Sequence, residues 1–368
     1  MKTYYFKKIV SSLLVLFIIV TLNFFLPRMI FTDPAQPYFV GVPEDALALR
    51  AQIREEYGFN DPLWQQYFSY LKRIAQLDFG QSHYYKESVW VVMFNRIPWS
   101  MVLTVSSMLL SLLFGIVVGA VAGKHRGKRM DKALLWLSGV TTAIPSFWLA
   151  MVAVMLFGFS LKLFPYRGAM TAGYTLVMNG GTFLVVLAAG AVLSLLLRLV
   201  TKKSLFLFLG FPASLAAALL ASVPLADILD VAYHAALPVM ISVFSGVISY
   251  GLLVRNSMIA VANEDYILTA RAKGLPSHVV LYQHTFRNAL LPLITNVGLS
   301  MAGLLGGSVL MEKIFSWPGM GQLLLEACNT GDYLLSQAIL LLFAVITVVC
   351  NFLTDLVYHK FDPRVKEV

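Results

Sequence analysis

The sequence predicts an all-α integral membrane protein, and three observations carry that prediction. Of 368 residues, 58% are hydrophobic and only 13% charged, with a mean hydropathy of +0.75, more apolar surface than one soluble core can hide. The apolar residues gather in eight runs, at roughly 9–30, 100–122, 133–160, 183–200, 204–224, 235–258, 289–311 and 336–358. Each is near the ~20 residues that cross a ~30 Å hydrocarbon layer. The basic residues, finally, are sorted between alternate connecting segments, because Lys and Arg resist translocation.

The first run follows Lys7 and Lys8. It exceeds the ~7–15 apolar residues of a signal peptide, and no small-x-small cleavage site precedes Thr32-Asp33-Pro34. Residues 1–30 are therefore expected to remain as a membrane helix. Residues 31–98 form the one sizeable aqueous segment, an extracytoplasmic helical cap. In it Pro43 to Tyr57 reads as a helix closed by Gly58, and Asp61-Pro62 as an N-cap and N1 pair opening another toward Leu77.

The remainder, 99–368, holds the other spans. Gly115, Gly119 and Gly123 recur every four residues in the second span, and Gly303 and Gly307 do so in the seventh. Such spacing lets helix backbones approach closely where no hydrophobic effect drives them together. Packing within the subunit is the expected use, and subunit pairing the second. Pro145 interrupts the third span, while Gly298, Gly303, Gly306 and Gly307 leave the seventh light in side chains. Residues 173–230 make an apolar hairpin with Arg198, Lys202 and Lys203 at its tip, expected to lie against lipid.

With both termini in the cytoplasm, the inner side carries 18 basic and 6 acidic residues, and the outer side 10 and 13. A net charge of +9 is then a consequence of sorting by membrane side, so no nucleic-acid partner is expected.

The most ordered polar stretch lies within 259–290, between the sixth and seventh spans. Asn263 reads as an N-cap, and Glu264 and Asp265 place negative charge at the positive end of a helix dipole. Arg271 and Lys273 lie at the opposite end, Gly274 supplies a left-handed C′ residue, and Pro276 prevents continuation. A second helix follows, in which Val279, Tyr282, Phe286 and Leu290 share one stripe, while Ser277, His278, His284, Arg287 and Asn288 fall elsewhere. The pattern predicts a helix-turn-helix elbow with an apolar stripe for docking.

The wording of this loop resembles that of permease subunits in the dipeptide, oligopeptide and nickel branch of binding-protein-dependent ABC importers. The matching residues are Asp265, Tyr266, Thr269, Ala270, Arg271, Ala272, Lys273, Gly274, His284 and the run Arg287 to Pro292. Where ABC permeases at large begin the motif with Glu-Ala-Ala, this chain has Leu268, Thr269 and Ala270. The resemblance extends through the 31–98 cap, the Phe315 to Gly321 segment, Asp332-Tyr333, Asn351, Asp355, Tyr358 and Asp362-Pro363-Arg364. It implies a type I ABC importer transmembrane domain, in which a six-helix core is joined here by the extra 173–230 hairpin. It further implies a second homologous permease subunit, two ABC ATPase subunits that bind ATP and Mg, and an extracytoplasmic substrate-binding protein. The ATPase-coupling set would be Glu264, Asp265 and Tyr266, the run Ala270, Arg271, Ala272, Lys273 and Gly274, and Val279, Tyr282, His284, Phe286, Arg287 and Asn288.

Other chemistries lack their residues. The basic loop Gly123 to Arg129 has three residues between its glycines where a phosphate-binding loop has four, and Arg129 where Ser or Thr is required. HExxH and GxSxG are missing, and the two cysteines, Cys328 and Cys350, imply neither a disulfide framework nor a metal cluster. Charges are scarce at span centres, against an ion-coupled carrier, for which Asp355 would be the leading candidate residue. The expected function is a non-catalytic permease subunit moving peptides or a related solute. The alternatives are a self-sufficient secondary transporter or, within the family, a nickel-chelate or saccharide permease.

Overall fold

The computed structural model describes residues 2–30, 35, 39, 47–56, 58–171, 180–201, 205–222, 225–303, 306 and 309–361. In chain order the helices are α1 (Lys2–Ile30), α2 (Leu47–Glu56), α3 (Leu63–Ala75), α4 (Val89–Lys124), α5 (Arg129–Ala143) and α6 (Ser146–Ala153), which runs on into a π-helical turn, Val154–Ser160. Then come α7 (Gly180–Thr201), α8 (Leu205–Ser222), α9 (Leu225–Ala262), α10 (Asp265–Ala272) and α11 (Ser277–Val279). The last passes through a second π-helical turn, Val280–Phe286, into α12 (Arg287–Ala289). The chain closes with α13 (Leu291–Ala302), α14 (Val309–Ile314), α15 (Met320–Thr330) and α16 (Tyr333–Phe361).

Among the described residues four helices are long and apolar enough to cross a bilayer, within α1, α4, α9 and α16. The pair α5 and α6, bent by 94° where Pro145 breaks the ladder, would make a fifth. Among the described residues, four or five of the eight expected spans are thus found as such helices. Gly181–Gly190 in α7 is a shorter apolar stretch among the described residues, and the 289–311 run is divided between α13 and α14.

The centre of the bundle is the crossing of α4 and α9. A Cβ added at Gly115 would meet Tyr250 Cβ at 2.8 Å, one at Gly119 would meet Val254 Cβ at 2.8 Å, and one at Gly123 would meet Met258 Cβ at 3.0 Å. The four-residue spacing therefore serves contact within the chain. The seventh span differs from expectation. Gly303 ends α13, and among the described residues a Cβ there would touch Ser300 O alone, at 3.5 Å. Gly307 lies outside the described residues. The position that does bring helices together there is Gly298, where a Cβ would lie 2.9 Å from Thr354 Cβ on α16.

The inserted hairpin is held by two reciprocal pairs: Ser214 fills the space above Gly190, and Ser194 that above Gly210. Phe183, Leu187, Leu215 and Ala218 then pack with Trp99, Val102 and Val105 of α4 and with Trp317. Through these residues both helices of the hairpin join the core, where the sequence predicts a lipid-facing pair. Lys202 and Lys203 lie outside the described residues.

The cap lies on α1 and α16. Gly58, left-handed at φ +67°, closes α2, and Phe59 N–H reaches back to Arg54 O at 2.8 Å. The residue flanking α3 is Pro62, with no side-chain cap from Asp61. Asn23 bonds Tyr70 Oη at 3.2 Å and Gln337 O at 2.9 Å, and Phe24 meets the Tyr67 ring edge-on.

Where α4 begins, Glu312 is fully buried and organises the Phe315 to Gly321 turn. Its Oε2 accepts the N–H groups of Gly321 at 2.8 Å and Gln322 at 3.0 Å, the first turn of α15, and its Oε1 accepts Ser100 Oγ–H at 2.7 Å. A carboxylate at a helix N-terminus satisfies orphan donors and meets the dipole favourably. Trp317 donates through Nε1 to Trp99 O at 2.9 Å. Nearby, Asp332 accepts Leu335 N–H at 3.2 Å at the start of α16 and Ser82 Oγ–H at 2.5 Å, fastening the 78–88 turn. Tyr85 donates to Glu326 at 2.7 Å, and burial, reinforced by that carboxylate, pushes its hydroxyl up to about 12.

Candidate functional site

The elbow projects from the opposite end of the bundle, where α4 and α9 finish. Its first arm begins one residue later than Asn263 predicts. Asn263 N–H bonds Ala260 O at 3.2 Å and Glu264 N–H bonds Val261 O at 3.1 Å, so both residues close α9. Glu264 then flanks α10 without a side-chain cap, and its carbonyl accepts Ile267 N–H at 3.0 Å. Asp265 occupies the first turn and Arg271 the last, as the dipole favours.

The turn between the arms follows local chemistry closely. Gly274 is left-handed at φ +73°, its N–H reaches Arg271 O at 2.9 Å, and Leu275 N–H reaches Ala270 O at 3.4 Å, a Schellman closure. Pro276 starts the second arm, accepting Val279 N–H at 2.9 Å.

The arms are fastened to each other. Ile267, Ala270 and Val280 form a small buried cluster, and Asn288 Nδ2 donates to Tyr266 Oη at 2.9 Å. Two of the sequence-predicted residues are thereby brought together across 22 positions.

The second arm departs from the predicted stripe. A π-helical turn adds a residue to each repeat, so Val280, Thr285 and Ala289 face inward at intervals of five and four. Phe286 and Leu290 pack toward the α4–α9 core with Leu112, Val254 and Met258. Tyr282 is 60% exposed and lies apart from Phe286, while Val279 and His284 are half-buried. The outward apolar surface of the elbow consists instead of Tyr266, Leu268, Leu275 and Tyr282. Ala272, Lys273 and Arg287 are exposed.

The elbow is also bound to its support. Asp131, buried at the start of α5, takes two hydrogen bonds from Arg255 near the end of α9 and a third from Gly127 N–H at 2.7 Å. A cleft of about 420 Å³ lies between the 123–126 loop and the elbow, with Lys124, Arg126 and Arg271 on its walls. At the far side of this end, Lys8 pairs with Asp355 at 2.5 Å and ties α1 to α16, an interhelical role for the one acid considered for ion coupling. Among the described residues no cluster of His, Cys, Asp and Glu could hold a metal ion.

Sequence reasoning did not reach Glu312, Ser100 or the Asp131–Arg255 pair as partners.

Comparison with known proteins agrees with this architecture. The family model described as "Binding-protein-dependent transport system inner membrane component" matches residues 115–367, and that of the membrane component's N-terminal region matches 1–104. The oligopeptide transport system permease protein AppB of Bacillus subtilis is 30% identical over 367 residues, the whole of both chains. The di/tripeptide transport system permease protein DppB of Pseudomonas aeruginosa is 30% identical over 94% of this chain and 93% of its own. The oligopeptide transport system permease protein OppB of Haemophilus influenzae is 29% identical over the full length of both. The chain belongs to the family of inner membrane permease components of binding-protein-dependent transport systems.

Proposed function

We propose that this chain is the transmembrane permease subunit of an ATP-driven importer of di- or oligopeptides, coupled to separate ATPase subunits through residues 264–288. In this reading a second homologous permease completes the path and two ATPases hold ATP and its magnesium ion. A substrate-binding protein delivers solute at the face carrying the 31–98 cap, and both termini lie in the cytoplasm. The relatives' names support the peptide, and the charge sorting supports the orientation.

The observation that carries the coupling role is the internal fastening of the elbow. A segment that transmits force must not dissipate it in its own bending. Ile267, Ala270 and Val280 pack the two arms together, and Asn288 bonds Tyr266 across them. Leu281, Phe286 and Leu290 join the second arm to the α4–α9 core. A push on Tyr266, Leu268, Leu275 and Tyr282 would therefore pass directly into two spanning helices.

The test uses the assembled transporter in vesicles. Gly274→Pro removes the left-handed closure, since Pro holds φ near −65°. The variant is expected in the membrane with its partners, hydrolysing ATP without peptide uptake. Normal uptake would show that the elbow does not couple. Solute movement by this chain alone along an ion gradient would establish the secondary carrier instead.

A further inference from the structure

Between the two ends of the bundle lies a cavity of about 390 Å³. Hydroxyl groups dominate its polar lining: Thr104 and Ser107 from α4, Ser242, Ser245 and Tyr250 from α9, and Ser300 from α13. Among the described residues no Asp, Glu, His, Lys or Arg lines it.

Three breaks in helical regularity converge on the same space. Ser146 opens α6 at the 94° bend, Pro238 interrupts the ladder of α9, and Gly303 ends α13. At membrane depth, backbone freed from a helix is tolerated where it is buried in protein or borders water, and such discontinuities surround the solute sites of transporters. A space bounded by three of them, in which hydroxyls stand among the apolar side chains of Leu103, Met108, Pro238 and Met311, can hold water and a polar solute together with its apolar parts.

The hydroxyls are oriented by their own helices. Thr104 Oγ1 donates to Ser100 O at 2.7 Å, Ser242 Oγ to Pro238 O at 2.9 Å, and Ser300 Oγ to Asn296 O at 2.9 Å. Tyr250 Oη in turn donates to Ser300 Oγ at 3.2 Å. Each donation occupies a proton and leaves oxygen lone pairs as acceptors. A neutral set of acceptors matches amide N–H groups, which every peptide carries whatever its side chains.

We infer that this cavity is a wetted station on the solute path, where a peptide is held through its main-chain N–H groups and not through side-chain charge. The inference rests on the peptide-permease reading above. It accounts for how one path would pass peptides of differing sequence, because nothing in the lining rewards or opposes a particular charge.

The experiment uses the complete transporter in vesicles, with Cys328→Ser and Cys350→Ser to remove the native thiols. Ser107→Cys or Ser242→Cys is then added and treated with a charged, membrane-impermeant thiol reagent. Both cysteines are expected to react, and trialanine with its receptor and ATP should slow the reaction several-fold. Independently, Ser107→Ala and Ser245→Ala should each lower trialanine uptake about fivefold, the equivalent of one hydrogen bond. If the cysteines stay unreactive, or react at one rate with and without peptide, while the parent imports trialanine, this inference is overturned and the peptide-permease reading stands. If the alanine variants import at the parent's rate, it is likewise overturned. If the parent imports no peptide at all, both readings fall together.

Discussion

Arg255 holds Asp131 through two parallel hydrogen bonds, Nε to Oδ1 at 2.7 Å and Nη2 to Oδ2 at 3.1 Å. The pair joins the end of α9, from which the elbow departs, to the start of α5. Its side chains are 15% and 3% exposed, so neither charge has much water to fall back on. Asp131→Ala should destabilise the subunit by about 3 kcal/mol, because it strands a buried guanidinium. Thermal unfolding in nanodiscs measures this. Asp131→Ala with Arg255→Met should cost less than the two single changes added together. Arg255→Lys should rescue poorly, since an ammonium cannot supply the planar fork. Additive losses would show that the two residues act separately.

Gly119 offers a sharper test of the bundle centre. The backbone of α9 at Gly251 and the Val254 side chain occupy the place of its missing Cβ. Gly119→Ala forces two long helices apart and is expected to lower stability by about 1–3 kcal/mol. Gly139→Ala is the control, because nothing lies within 4 Å of the Cβ it would add. Equal unfolding temperatures for the two variants would refute the close approach.

At the other end, Glu312→Gln should separate charge and acceptor geometry from shape. The amide keeps one acceptor oxygen, yet its NH₂ group must face either Ser100 or the N–H groups of Gly321 and Gln322. A loss of about 2 kcal/mol is expected for donors left unsatisfied in a buried site. Ser100→Ala, which also removes the hydrogen bond from Met320 N–H at 2.7 Å, should cost about 1 kcal/mol. A Gln variant as stable as the parent would mean that water reaches the turn.

Much of this architecture is legible in the sequence where the cause is local. Gly274 and Pro276 specify their turn by backbone chemistry alone, and Pro145 announces the break between α5 and α6. Family wording over nearly the whole chain identifies the transport system without any geometry. What stays hidden has two causes. The Asp131–Arg255 and Ser100–Glu312 contacts join residues 124 and 212 positions apart, and no periodicity reports such meetings. A period of 3.6 does not describe Val280–Phe286, where the π turn rotates Phe286 inward and leaves Tyr282 out, so the predicted docking stripe is split. Asn263 failed as a cap for a related reason: α9 extends further than a free helix start would allow.

The glycine contacts along α4 have a mechanical consequence for any transport cycle. With Gly115, Gly119 and Gly123 seated against Tyr250, Val254 and Met258, a swing of α9 cannot leave α4 behind. The two behave as one double-width beam of 36 and 38 residues, on the order of 55 Å at 1.5 Å per residue. Displacement imposed at the elbow tip therefore passes with little slack along the stretch where these glycines meet α9, from Met258 to Tyr250.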